Sequence, residues 1–196
     1  MKKIFKRFAI LSLATVLAGM AAPTQAVAQK AKAEQSTQSL TGTWVADMKS
    51  MMDNSVQYKK SDVIFTFSGS NVKIGIDIQA ERQQGTMAID MGIRVNGKAA
   101  YKKDGRYLKI KSTDTKPSVD FYKCKLVADE ATKAALAERG ITQQSLKKMI
   151  QQNMNLGEYT NTLRLFHGDL YIVEHTATTL VLSDDSGTKI SFTKKK

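Results

Sequence analysis

The chain has 196 residues, with 30 Lys and Arg against 18 Asp and Glu and a net charge of +12 at pH 7. That length suffices for one ordinary domain with a sizeable core, and its single cysteine, Cys124, excludes an internal disulfide. The basic residues are scattered among strand-like stretches, which argues against nucleic acid as a partner and leaves an acidic polysaccharide or an anionic membrane face.

Residues 1–28 read as a signal peptide. Lys2, Lys3, Lys6 and Arg7 precede an apolar run from Phe8 to Ala22, and Ala26-Val27-Ala28 offers an A-x-A cleavage site before Gln29. The run contains Ser12, Thr15 and Gly19 and falls short of the ~20 residues a membrane span needs. Met20 follows Leu17-Ala18-Gly19, where a lipoprotein would carry its cysteine. The mature chain is therefore expected to be exported, periplasmic or extracellular, soluble, and without a transmembrane segment. Residues 29–39, rich in Ala, Gln, Lys and Ser, read as a flexible leader to a single domain over 40–196.

From Gly42-Thr43-Trp44 onward, apolar residues recur at every second position: Val63, Phe65 and Phe67; Val72, Ile74, Ile76 and Ile78; Met87, Ile89, Met91, Ile93 and Val95. The second and third runs fold against each other with a turn near 81–84, setting Ile78 beside Met87 and Ile76 beside Ile89. Sliding that pairing by two residues would oppose Asp77 and Asp90, which like-charge repulsion disfavours. Asn96-Gly97 predicts a turn with a bulge or longer loop. Asp104-Gly105 predicts a two-residue hairpin that sets Tyr101 against Leu108 and Ala99 against Ile110. Val119 to Leu126 reads as a further strand, with Tyr122, Cys124 and Leu126 alternating with Lys123 and Lys125.

A helical insertion follows over about 128–156. Asp129 can cap one helix carrying Leu136 and ending near Gly140, and Thr142 a second with Leu146, Met149 and Ile150 on one stripe. Strands resume at Leu163 to Phe166, turn at His167-Gly168-Asp169, and continue through Tyr171 to Val173 and Leu180 to Leu182. After a turn at Asp184 to Gly187, Ile190 and Phe192 close the chain. The expected fold class is all-β, an antiparallel barrel of about ten short strands with a two-helix insertion.

The Gly42-Thr43-Trp44 start, the hairpin ladders with Asn-Gly and Asp-Gly turns, and the final Leu180-Val181-Leu182 to Phe192 hairpin resemble the small exported lipocalin-like, calycin-type proteins of Gram-negative bacteria. The likeness spans most of residues 40–196. It implies that Trp44 packs across the closed end of the barrel under a basic side chain from late in the chain. No arginine follows Arg164, so a lysine such as Lys194 would take that place. Lipocalins carry one helix after most of the barrel, whereas here two helices precede about four strands.

A barrel of this kind can hold a small hydrophobic or amphiphilic ligand, with Phe65, Phe67, Ile74, Ile76, Met87, Met91 and Tyr101 facing it. Met48, Met51 and Met52 stand where the first long loop would cover the open end. The same residues could equally fill a solid core, since alternation shows which side is buried and not whether space remains. Lys109, Lys111, Lys123 and Lys125, on two strands, could form one outer surface for an anionic glycan, lipid headgroup or protein, or simply a solvated face that resists edge aggregation.

Other chemistries find no support in the spacing. His167 and His175 have no neighbouring ligand and read as surface residues, so neither metal nor cofactor is expected. Asp77 and Asp90 read as a solvated outward pair, Cys124 as a small buried apolar group, and Asp184-Asp185-Ser186-Gly187 as a turn. No nucleophile elbow or phosphate-binding glycine loop is present, so the expected function is non-enzymatic binding, with a cell-envelope interaction module as the alternative.

Overall fold

The structure is a computed structural model that describes residues 39–49, 56–85, 87–112, 117–153, 163 and 166–196. The expected signal segment, all but the last residue of the leader, and Met51 and Met52 lie outside the described residues. Nine strands and two helices are formed among those described: β1 (Gly42–Asp47), β2 (Gln57–Ser68), β3 (Asn71–Gln84), β4 (Met87–Asp104), β5 (Tyr107–Ser112), β6 (Ser118–Val127), α1 (Glu130–Glu138), α2 (Gln143–Asn153), β7 (Gly168–His175), β8 (Thr179–Ser183) and β9 (Lys189–Lys194).

Eight of the strands close an antiparallel barrel in the circuit β1-β2-β3-β4-β5-β7-β8-β9, with β9 returning to β1 through Trp44↔Lys194 and Val45↔Thr193. The ninth, β6, shares the edge of β4. That 18-residue strand pairs with β3 from Met87 to Ala100 on one side. On the other it gives Ala99–Asp104 to β5 and Ala88–Asn96 to β6. Because β1 covers only Asp62–Phe67 of β2, the sheet β2-β3-β4-β6 runs on past the barrel as an extension.

The expected alternation is present: Val63, Phe65, Phe67, Val72, Ile74, Ile76 and Ile78 are all buried. Each such large apolar side chain contributes about 1.5–3 kcal/mol by leaving water. α2 packs against β6, and its Leu146 and Ile150 join the same core as Met91, Phe121 and Cys124. Both helices start where expected. Asp129 Oδ1 accepts the Thr132 N–H at 2.7 Å, and Thr142 Oγ1 accepts the Ser145 N–H at 3.1 Å.

Several expectations are corrected. The β3–β4 hairpin turns at Gly85, not at 81–84, and its register is Ile78↔Ile93 and Ile76↔Val95. Asn96-Gly97 makes no turn; it lies inside β4 opposite Gly75 and Ile74, which merges two expected strands into one. At the β4–β5 hairpin Gly105 and Arg106 form the turn, with Asp104 paired to Tyr107. Only Gly105 needs positive φ (59°), so Asp104 stays in the strand and the register shifts by two to Tyr101↔Ile110. Leu163 and Phe166 belong to no strand; the Phe166 N–H donates to the Leu163 carbonyl at 3.2 Å. Gly168 and Asp169, expected in a turn, already pair with Ile110 and Lys109.

Candidate functional site

The barrel interior is aromatic. The Phe65 ring lies 4.9 Å from Phe192, 5.5 Å from Phe166 and 5.8 Å from Phe67, and Phe67 stands edge-on to the half-buried Tyr101 at 4.8 Å. Phe166 enters from outside the strands, as does Leu163, whose Cδ1 lies only 3.0 Å from where a Cβ on Gly97 would be. A Cβ at position 97 would thus require Leu163 to give way by a few tenths of an ångström. An eight-stranded barrel is just wide enough to be filled by side chains or to hold one small ligand, and Leu163 and Phe166 share that interior with the strand residues.

Of the expected lining residues, Phe65, Phe67 and Tyr101 meet in this aromatic group, and Ile74 is cross-strand partner to both Phe65 and Gly97. Ile76 lies one register step further toward the extension. Met91, paired with Ala80 and Cys124, lies in the extension, where α2 packs against the neighbouring β6. Met87 does not join them: it is half-buried at the hairpin tip opposite Gln84 and outside the main core. Met48 packs against the core near the end of β1.

At the start of the barrel the Trp44 side chain is fully buried, and its Nε1–H donates to the Leu40 carbonyl at 2.7 Å. The Lys194 ammonium sits 5.1 Å from the Trp44 ring centroid, and the His175 ring meets it edge-on at 5.6 Å. His175 is not a surface residue. Both ring nitrogens are sealed from solvent without a hydrogen-bond partner. Burial, with Lys103 and Lys194 nearby, pushes its pKa down, so the ring stays neutral.

A second group of polar residues lies on the outer face of the extension, and it overturns the expectation that Asp77 and Asp90 are solvated. They are 1% and 5% exposed. Asp77 Oδ2 accepts from Lys60 Nζ and Arg94 Nη2, each at 2.8 Å, and Asp77 Oδ1 accepts the Tyr122 hydroxyl at 2.8 Å. Asp90 Oδ2 accepts from Lys59 at 2.9 Å and pairs with Lys123 at 2.9 Å, while Gln79 donates to Oδ1 at 3.0 Å.

The register opposes acids twice, Asp62 to Asp77 and Glu81 to Asp90. A lysine bridges each pair: Lys60 contacts Asp62 and Asp77, and Lys59 contacts Glu81 and Asp90. Two consecutive lysines serve the same face because a β-bulge falls between Tyr58 and Lys60. A second bulge opposite Gly92 and Arg94 turns Tyr122 outward with Lys123, leaving Phe121 and Cys124 as the inward pair. Tyr122 was expected inward.

Burial opposes ionisation of both aspartates, but the donors outweigh it. Lys60, Arg94 and Tyr122 hold Asp77 below the usual carboxylate range, and Lys59, Lys123 and Gln79 bring Asp90 down to about 2. Burial and the bond to Asp77 push the Tyr122 hydroxyl up to about 12. Carboxylates so saturated with donors have no spare basicity for proton transfer; they tie four strands together.

The four expected lysines do not form one compact patch. β5 and β6 follow each other along the β4 edge rather than lying side by side; Lys109 pairs with Asp104 at 3.0 Å and Lys123 with Asp90. Cys124 is buried, and burial raises its thiol pKa. Asp184 Oδ1 accepts the N–H groups of Ser186 and Thr188, which makes the 184–187 segment a turn. Among the described residues no group of three or more His, Cys, Asp or Glu is placed to hold a metal, and no helix is long and apolar enough to cross a membrane. No protein-family model and no curated protein matches the chain.

Proposed function

We propose that this chain is an exported, non-enzymatic, lipocalin-like binding protein whose barrel holds a small hydrophobic or amphiphilic molecule. The observation that carries this reading is the placement of Leu163 and Phe166 against Gly97 and Phe65. Neither belongs to a strand, so the hydrogen bonds of the sheet do not hold them in the interior. Their movement would free apolar volume lined by Phe65, Phe67, Ile74 and Tyr101 without opening the sheet. The half-buried Tyr101 hydroxyl, beside Phe67, offers a polar contact for an amphiphile headgroup.

Native mass spectrometry of the protein purified from its own cells tests the proposal. A co-purifying lipid-sized adduct, lost on mild organic extraction, supports it. A bare polypeptide mass together with no uptake of a fluorescent fatty acid counts against it.

A further inference from the structure

The outer face of β3, β4 and β5 behaves differently at its two ends. On the extension, Lys59, Lys60, Arg94 and Lys123 are matched by buried carboxylates. On the barrel itself, the register sets Lys73 directly opposite Lys98 and Lys102 directly opposite Lys109. Lys111 lies beside Ala100 on the same face. Like charges directly across an antiparallel pair cost stability, and β4 carries two such pairs within one short stretch, the second offset by the acids beside Lys109. Asp104 is engaged by Lys109, and Asp169 faces the same lysine across β7. Among the described residues Lys73 and Lys111 form no ion pair.

The hairpin end of this face carries an aromatic group. Tyr107 is 50% exposed and meets Tyr171 edge-on at 5.5 Å. Arg106 lies 6.0 Å from the Tyr171 ring centroid and donates to its hydroxyl at 3.1 Å. The rings are thus held in place before any partner arrives, beside a guanidinium. Strand geometry sets Lys98 and Lys102 about 13 Å apart along β4, with the Tyr107 platform beyond them. A linear polyanion can follow such a stripe, whereas a single small anion would engage one end.

We propose that this face docks an acidic polysaccharide, its carboxylate or sulfate groups meeting Lys73, Lys98, Lys102 and Lys111 and a sugar ring lying on Tyr107. An anionic bilayer fits less well. Of the large apolar residues exposed among those described, Tyr107 is the only one on this face, so nothing aliphatic is offered to hydrocarbon. This inference does not depend on the barrel holding a ligand.

Binding of the purified full chain to heparin and to polygalacturonate, measured over a salt series, tests it. The expected result is binding that weakens steeply as salt rises and falls about tenfold or more in Lys73→Glu/Lys111→Glu. Tyr107→Ala should lose affinity while keeping the salt slope. Lys73→Glu alone should raise the melting temperature, because it turns a repulsive cross-strand pair into an attractive one, and this readout shows that the variant is folded. Fatty-acid uptake by the barrel should be unchanged in all three variants. Undiminished polysaccharide binding by the double variant, binding to phosphatidylglycerol vesicles but to neither polysaccharide, or binding to none of these probes would overturn the proposal.

Discussion

The Tyr122 hydroxyl reaches Asp77 Oδ1 at 2.8 Å from two strands away, passing over β4 where Gly92 leaves its backbone bare. A Cβ at position 92 would lie 2.5 Å from Tyr122 Cε2 and 2.9 Å from Lys123 Cβ. The ring could swing aside, but Lys123 Cβ moves only with β6 itself. Gly92→Ala is therefore expected to lower stability by about 1–3 kcal/mol. Tyr122→Phe, which removes only the hydroxyl, should cost about 1 kcal/mol. Urea denaturation followed by Trp44 fluorescence measures both, and equal stability of Gly92→Ala and wild type would refute the close packing of β6 over β4.

Acid should act on the two buried aspartates. Their folded pKa values lie below the unfolded ones, so their contribution is complete above about pH 4 and is lost as pH falls toward 2. For Asp90 this amounts to about 2 kcal/mol. Asp90→Asn should remove that part of the acid dependence while lowering stability at pH 7. A melting-temperature profile between pH 2 and 5 that is identical in wild type and variant would contradict the assignment.

His175 should act in a higher window. Its folded pKa is depressed, so protonation favours the unfolded chain, and the stability present above the unfolded value of about 6.5 declines as pH falls below it. His175→Leu removes two buried nitrogens that lack partners and should leave stability at pH 7 unchanged or raise it by about 1 kcal/mol. It should also flatten the profile between pH 5 and 7. A loss of more than about 2 kcal/mol would show that the imidazole makes a favourable contact.

The closed all-β architecture and the two capped helices could be read from the sequence, because period-two burial at Val63–Phe67 and Val72–Ile78 and the caps Asp129 and Thr142 are local signals. Register was not legible. Asn96-Gly97 has the composition of a turn, but pairing of β4 with β3 over fourteen positions outweighs that local preference. The like-charge argument holds for Asp77 and Asp90, which face Arg94 and Glu81 rather than each other, but it does not select the observed register. The chain accepts opposed acids elsewhere because bulges deliver Lys59 and Lys60 to bridge them, and strict alternation cannot reveal a bulge. The inward placement of Phe65, Phe67 and Ile74 follows from the same alternation. Leu163 and Phe166 read as strand residues because the tetrapeptide Leu163-Arg164-Leu165-Phe166 is too short to show a period of its own.

The most direct test of the binding account is a titration of a fluorescent fatty acid into the wild type and into Leu163→Ala/Phe166→Ala, with Trp44 emission confirming a folded barrel. Uptake by the wild type that tightens in the double variant, where two occupants of the interior have been cut back, is the predicted result. No uptake by either protein, at unchanged Trp44 emission, would contradict a ligand-holding barrel.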